Sequence, residues 1–253
     1  MRTLNVMSAG SLRLPLDEIA VMASEQENIK VAITYGPSGL LREDLEQNNA
    51  AELLVSADMG HPTQLWEQKL ALPPIPFAGN SLRLMVAPGV TVPNGVDRDP
   101  PIVLDWLLGD DIRIATSTPG LDPSGDYAWE CFALAESFLP GAQERLAAKA
   151  LQAVGGRDPK WCHPVDGKSP VARLFLEDRT DVFLGYATSA LQVASQVSGL
   201  RVCKLPEGLE VHTTCGLSVL RSASPAAYMF ACLLLSIRGQ SRLRQYGFRT
   251  FSS

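Results

Sequence analysis

Histidine is scarce in this chain: only His61, His163 and His212 occur among 253 residues. No two are close enough in sequence to suggest a local metal site. The five cysteines, at positions 131, 162, 203, 215 and 232, form no C-x-x-C pair. Zinc and thioredoxin-like readings therefore lack support, and the odd count argues against a pure disulfide framework. Cys203 and Cys215 flank a short segment between two strand patterns. They read either as a pair in an oxidising compartment or as two free thiols. Aromatic residues make up only 7%; Trp66, Trp106, Trp129 and Trp161 read as packing residues rather than ligand stackers. Basic tracts are missing as well. Lys and Arg total 22 against 27 Asp and Glu, a net charge of −5, which excludes a nucleic-acid or anionic-membrane surface. No apolar run approaches the roughly 20 residues of a membrane span. The longest candidate, 226–237, reads as a buried helix.

What is present is an ordinary globular composition, 46% hydrophobic and 19% charged, so disorder is not the main state. The length suits one large domain or two small ones. Strand patterns fall at 4–8, 30–35, 52–55, 82–87, 112–115, 181–186, 200–205 and 215–220. Helical patterns fall at 12–24, 39–47, 62–69, 126–138, 142–153, 171–178 and 225–246. This alternation predicts α/β architecture with mainly parallel sheets. The Pro-rich stretches 72–76 and 88–101 read as connections, the second interrupting the alternation. The first strand pattern begins within a few residues of Met1. Two expectations follow: a mature extracytoplasmic chain, or a cytoplasmic one.

Several strand–helix junctions share one chemistry. Met7 runs into Ser8-Ala9-Gly10-Ser11, and Tyr35 into Gly36-Pro37-Ser38-Gly39. Thr118-Pro119-Gly120-Leu121-Asp122-Pro123 runs into Ser124-Gly125-Asp126-Tyr127. Gly167-Lys168-Ser169-Pro170 precedes a helix, with Pro170 at a favoured first position. Capping alone accounts for any one of these serines. The functional alternative is anion binding, because a helix N-terminus offers unpaired N–H donors and partial positive charge. Glycine lets a ligand approach the backbone. Periodicity does not show whether such junctions converge.

A resemblance supplies that convergence. Val6-Met7-Ser8-Ala9-Gly10-Ser11-Leu12 resembles the first strand and loop of periplasmic molybdate-binding proteins. Thr34 to Leu41 resembles their second loop, and Glu52-Leu53-Leu54-Val55-Ser56-Ala57-Asp58 the strand after it. Gly79-Asn80-Ser81-Leu82 resembles their crossover strand. Pro123-Ser124-Gly125-Asp126-Tyr127-Ala128 resembles a helix start that usually reads P-A-G-x-Y-A. Residues 181–186 resemble the strand ending in the binding tyrosine, and Tyr246-Gly247-Phe248 the C-terminal Y-G-F. The resemblance implies a type 2 periplasmic-binding-protein-like fold. Each of its two lobes is a mainly parallel sheet flanked by helices, joined by crossover hinge strands. Lobe one would hold 1–83 and 206–253, and lobe two 84–205.

By the same resemblance, an oxyanion sits in the inter-lobe cleft. Ser11 and Ser38 would donate from lobe one, Ser124 and Ser169 by backbone N–H from lobe two, and Tyr186 by its phenol. Gly10, Gly39, Gly125 and Lys168 are possible additions. The implied function is a monomeric periplasmic receptor that delivers molybdate or tungstate to an ABC transporter permease, with no cofactor and no protein-coordinated metal. The chain departs from the pattern at Pro37, which removes an N–H, and at Lys168, which adds a cation. Trp161-Cys162-His163-Pro164 has no counterpart.

The physical logic is that a buried dianion without a countercharge needs every oxygen hydrogen-bonded. Donors alone suit molybdate, tungstate or sulfate; a protonated phosphate also needs an acceptor, for which Asp122, Asp126 and Asp166 are near the second-lobe loops. Two other function classes compete. An enzyme with Ser11 or Ser38 as nucleophile would need a histidine base, and neither serine lies in a G-x-S-x-G elbow. Cys162 and His163 are adjacent in sequence, which does not point the side chains at each other. A cytosolic oxyanion sensor is the third class.

Overall fold

The computed structural model describes residues 3–48, 51–161 and 163–250. The chain divides into two compact units, residues 1–80 with 213–253, and residues 81–212.

The first unit opens with β1 (Thr3–Ala9), a short 3-10 turn at Gly10–Leu12, and α1 (Arg13–Glu27). It continues through β2 (Lys30–Gly36), α2 (Ser38–Asn48), β3 (Leu53–Ser56), α3 (Gly60–Glu67) and the start of β4 (Ile75–Val86). Asn28 ends α1 in the left-handed region at φ 53°, a conformation Asn tolerates better than most residues. β1 lies between β2 and β3 and is parallel to both. β2 alternates in exposure along its first five residues while β3 is buried throughout. That contrast marks β2 as the half-solvated edge and β3 as interior. Met7, Leu41, Leu45, Leu54 and Leu65 pack together as one core of this unit.

The chain enters the second unit within β4. There follow α4 (Pro100–Leu108), β5 (Ile114–Ser117), α5 (Pro123–Ala135), α6 (Ala142–Lys149) and β6 (Leu151–Val154). Then come a 3-10 turn at Pro159–Trp161, α7 (Pro170–Leu176), β7 (Val182–Tyr186), α8 (Ala187–Gln196) and β8 (Arg201–Lys204). β5 pairs in parallel with β6 and β7. Residues 82–86 of β4 run antiparallel to β7, and 83–86 antiparallel to β8. The chain leaves this unit at the start of β9 (His212–Val219), followed by α9 (Pro225–Leu235), α10 (Ile237–Gln245) and β10 (Arg249–Thr250). In the first unit β9 is antiparallel to β3, and β10 is antiparallel to residues 78 and 79 of β4. The architecture is thus α/β, with parallel pairs at the centre of each unit and antiparallel crossover strands beside them.

Four local expectations are corrected. Residues 151–154 form a strand, not the end of a helix: Leu151 pairs with Ala115, and pairing overrides a weak helical pattern. The stretch 225–246 is two helices. Ser236 leaves the helix at ψ 162° and its side chain accepts the N–H of Gly239. Pro100 and Pro101 open α4 rather than closing a loop, since proline fits the first helical turn. α8 follows Tyr186 directly, although no helix is expected there from the sequence pattern. Among the described residues, no helix is long and apolar enough to cross a membrane.

One clasp holds the entry to the parallel sheet of the second unit. Ile114 and Val182 are register partners, and the residues just before them, Arg113 and Asp181, interlock. Asp181 Oδ2 accepts both the backbone N–H and the Nε–H of Arg113 at 2.8 Å, and Oδ1 accepts from Nη2 at 2.7 Å. The Arg113 hydrogen bond holds the Asp181 carboxyl below the usual range. A carboxyl lowered on folding stabilises above its unfolded pKa, and that stability is lost as pH falls through the lowered value. Asp181→Asn is expected to cost about 1–2 kcal/mol at neutral pH, because a charge-assisted bond is lost from a half-exposed arginine. The difference from wild type should vanish in acid unfolding titrations.

The described thiols of Cys131, Cys203, Cys215 and Cys232 are all free, so the pairing of Cys203 with Cys215 is set aside. Burial pushes Cys131 and Cys215 up to about 12 and raises Cys203. Thiolate is the reactive form. In the native protein a disulfide reagent should therefore label exposed Cys232 first, and reach Cys131 and Cys215 only on unfolding. Cys162, and with it the Cys162–His163 pair, lies outside the described residues.

Candidate functional site

In the first unit the three parallel strands end side by side. Ala9 of β1 is the register partner of Gly36 of β2, and Ser8 that of Val55 of β3. Ligands of parallel sheets gather beyond such carboxyl ends. Ser11 lies two residues past Ala9, and Ser38 two residues past Gly36. Both serines therefore follow the carboxyl ends of paired parallel strands, Ser11 in the 3-10 turn after β1 and Ser38 at the start of α2 after β2.

Their chemistry differs. Ser38 is fully buried as the first residue of α2. Its oxygen accepts the N–H of Ala57, 3.3 Å away, from the turn after β3. A hydroxyl that accepts still has a proton to donate. Ser11 sits in the 3-10 turn, and its Oγ is buried with no hydrogen-bond partner among the described residues. An unmade hydroxyl bond costs about 1–3 kcal/mol, and few native groups are left so. Pro37 contributes no N–H, but its carbonyl accepts from Leu41 at 3.0 Å, so the kink serves α2. Gly39 is buried in the first turn of α2. Gly10 is exposed, and a Cβ there would meet nothing within 4 Å.

The neighbouring polar groups are already committed. The Tyr35 hydroxyl donates to Asp17 at 2.7 Å, and the Arg13 guanidinium lies 4.1 Å from its ring centre. Burial first, then the bond to Asp17, raises the Tyr35 phenol far above its ordinary value. Tyr35 is thus a lock between β2 and α1. Asp58 accepts from the Ser56 hydroxyl at 2.6 Å and from the N–H groups of Gly60 and His61. It caps α3, which explains the S-A-D triplet structurally. His61, buried in that first turn, has both ring nitrogens without partners among the described residues. Sequence reasoning could not place His61, and did not mark the Ala57 N–H, whose only signal was its position after β3.

In the second unit Tyr186 is the last residue of β7 and precedes α8; it is buried. Its ring meets the Tyr127 ring edge-on, with centroids 6.3 Å apart. Tyr127 belongs to α5, whose first turn carries Ser124. The structure therefore brings Ser124, Tyr127 and Tyr186 to one end of the parallel strands. The Ser124 N–H, however, donates to the carboxylate of the capping residue Asp122 at 3.0 Å. Gly125 is required by packing: a Cβ would stand 2.6 Å from backbone atoms of Thr118 and Pro119.

Ser169 and Lys168 are both tied to Gln196. The Ser169 N–H donates to the Gln196 side chain at 2.9 Å, and the Ser169 hydroxyl accepts from Ala172. Lys168 Nζ donates to the Gln196 carbonyl at 3.4 Å. Gln196 ends α8, the helix that starts beside Tyr186, and ten residues of helix span about 15 Å. Ser169 is thus tied to the far end of α8, and its N–H serves the fold. Among the described residues, no group of three His, Cys, Asp or Glu side chains stands where it could hold a metal ion.

Comparison with known proteins places this geometry. Residues 4–249 match the family model described as bacterial extracellular solute-binding protein. Protein PM1146 of Pasteurella multocida, itself uncharacterized, is 30% identical over 245 residues, covering 97% of this chain and 98% of its own. The periplasmic molybdate-binding protein of Azotobacter vinelandii superposes with TM-score 0.74 at 20% identity, covering 97% of this chain and 98% of that one. The sulfate-binding protein SubI of Mycobacterium tuberculosis gives 0.80 at 16% identity, covering 100% and 88%. Both structural likenesses show the type 2 solute-binding fold.

Proposed function

This chain belongs to the bacterial extracellular solute-binding protein family, whose members bind rather than transform their ligands, and from that premise we propose that it captures a tetrahedral oxyanion, molybdate or tungstate. The observation that carries the proposal is the hydroxyl of Ser11, buried and without a partner among the described residues, in the turn after β1, the strand paired with the one that leads into Ser38. A hydroxyl that has no acceptor among the described residues can donate to an anionic oxygen. Ser11 and Ser38 are neutral donors, and a charge-assisted bond to an oxyanion is roughly twice as strong as a neutral one. Tyr186 is the donor proposed from the second unit. Ser124 and Ser169 are demoted, because their N–H groups already have protein acceptors. Delivery to an ABC permease and an extracytoplasmic location complete the proposal.

Sulfate is the second reading, favoured by the same donor-only chemistry and by the likeness to a sulfate-binding protein. A thermal-shift titration of ligand-free protein separates the two. A ligand at about 100 times its dissociation constant adds roughly 2.7 kcal/mol, or about 5–10 °C for a chain of this size. The expected result is a shift with molybdate and tungstate, and none with sulfate, phosphate or small carboxylates; a shift with sulfate alone would establish the second reading instead. Tyr186→Phe should reduce the shift, measured against the variant's own unloaded melting temperature. No shift with any oxyanion would overturn the proposal.

A further inference from the structure

The segment without a counterpart in the resemblance, around Trp161, walls an open cavity of about 380 Å³. Ligand pockets run from about 300 to 1,000 Å³, so this one suits a small molecule. It lies wholly in the second unit, and none of Ser124, Ser169 and Tyr186 lines it. Leu151 of β6, Leu174 of α7 and the indole of Trp161 supply apolar walls, and Arg157 and Arg179 supply positive charge.

The indole is held in place before any ligand arrives. Trp161 is buried to 8% exposure. Its ring has Arg173 at 4.8 Å and Lys160 at 4.7 Å from the centroid. Arg173 is itself tied to the Lys160 carbonyl at 2.8 Å and to Glu177 at 3.0 Å. Asp158 also lines the cavity, but its Oδ1 accepts the Lys160 N–H at 2.9 Å and shapes the turn. Gly156 lets the loop pack closely on Thr118: a Cβ there would come 3.0 Å from the Thr118 hydroxyl. Two arginines against one aspartate leave the lining net positive in a protein that is net negative. Two cationic side chains on the rim of a cavity with apolar walls make an amphipathic lining. Arg179 is exposed, and no ion pair among the described residues engages it.

We propose that this cavity is a second ligand site, for a small amphipathic anion. A flat apolar body would lie against Leu151 and Leu174, with a carboxylate or phosphate ester head against Arg157 and Arg179. The inference is independent of the oxyanion reading. The test is calorimetric titration of the full chain with phenyl phosphate, with inorganic phosphate and phenol as the separate halves. Saturable binding is expected, with each half weaker by about tenfold or more. It should persist in excess molybdate and in Ser11→Ala. The Arg157→Gln/Arg179→Gln double variant, and separately Leu151→Glu at an exposed wall position, should each weaken it by about tenfold. No saturable binding of phenyl phosphate to wild type, binding that survives both variants, or binding abolished by Ser11→Ala would overturn the proposal.

Discussion

Ser11→Ala is expected to weaken oxyanion binding by about 10–100-fold, the value of one hydrogen bond to a charged group, without destabilising the unloaded protein. The two halves of this expectation have one cause. The Ser11 hydroxyl is buried and unpartnered among the described residues, so in the unloaded chain its removal takes away a desolvation cost. The small cavity left by one oxygen offsets part of that gain. The unloaded melting temperature should therefore stay level or rise. Ser38→Ala is the contrast. Its oxygen accepts a bond from Ala57, so losing it should cost about 1 kcal/mol of stability as well as affinity. Calorimetric titration with molybdate and thermal melting of both variants measure all four quantities. A Ser11→Ala protein that melts lower by as much as Ser38→Ala would mean that the Ser11 hydroxyl serves the fold, and the proposed site would lose its main support.

The contrast between these two serines also marks how far the sequence could be read. The alternation of strands and helices, and the small polar residues at strand ends, were legible because both are local patterns. The serines at 11 and 38 fall at one edge because parallel pairing sets Ala9 against Gly36. Their convergence on one ligand is what the resemblance implies, and it is part of the proposal. What was not legible was the competition for each donor. Ser124 and Ser169 have the same local signature as Ser38, yet their N–H groups are taken by Asp122 and Gln196. Asp122 is two residues away and is a standard capping type, so that bond had a sequence signal. Gln196 is 27 residues distant and had none. The missed β6 has a similar origin, since Leu151-Gln152-Ala153-Val154 becomes a strand through its pairing with β5. Tyr127 has no sequence signal beyond its place in the helix-start motif, and its ring contact with Tyr186 depends on α5 packing against β7.

The second large effect is expected at Gly125, where two opposing energies can be compared. Gly125 lies in the first turn of α5, and its φ is not in the left-handed region. Alanine would therefore be favoured by helix propensity, by about 1 kcal/mol. Against that, an added Cβ would stand 2.6 Å from Pro119 N and Thr118 C and 2.7 Å from Ser117 O. All three are backbone atoms, which cannot swing aside as a side chain would. Moving α5 away instead would disturb its capping. Asp122 accepts the N–H groups of Ser124 and Gly125, and Asp126 that of Gly120 at 2.7 Å. Asp122 is in turn wedged against Gly155, where a Cβ would lie 2.3 Å from its carboxylate. With both ends of the turn constrained, steric cost wins over propensity. Overpacking of this kind costs typically 1–3 kcal/mol and occasionally more. Gly125→Ala should lose about 2–3 kcal/mol net, a fall of roughly 5–10 °C in melting temperature. Tyr127 sits two residues further along the same helix, so the Tyr186 ring contact should loosen too, and tyrosine near-UV circular dichroism should change with it. Gly10→Ala is the matched control, since its Cβ would meet nothing within 4 Å; it should stay within about 0.5 kcal/mol of wild type. Equal stability for the two variants would mean that the start of α5 is free to shift, and that the close approach to β5 does not position it.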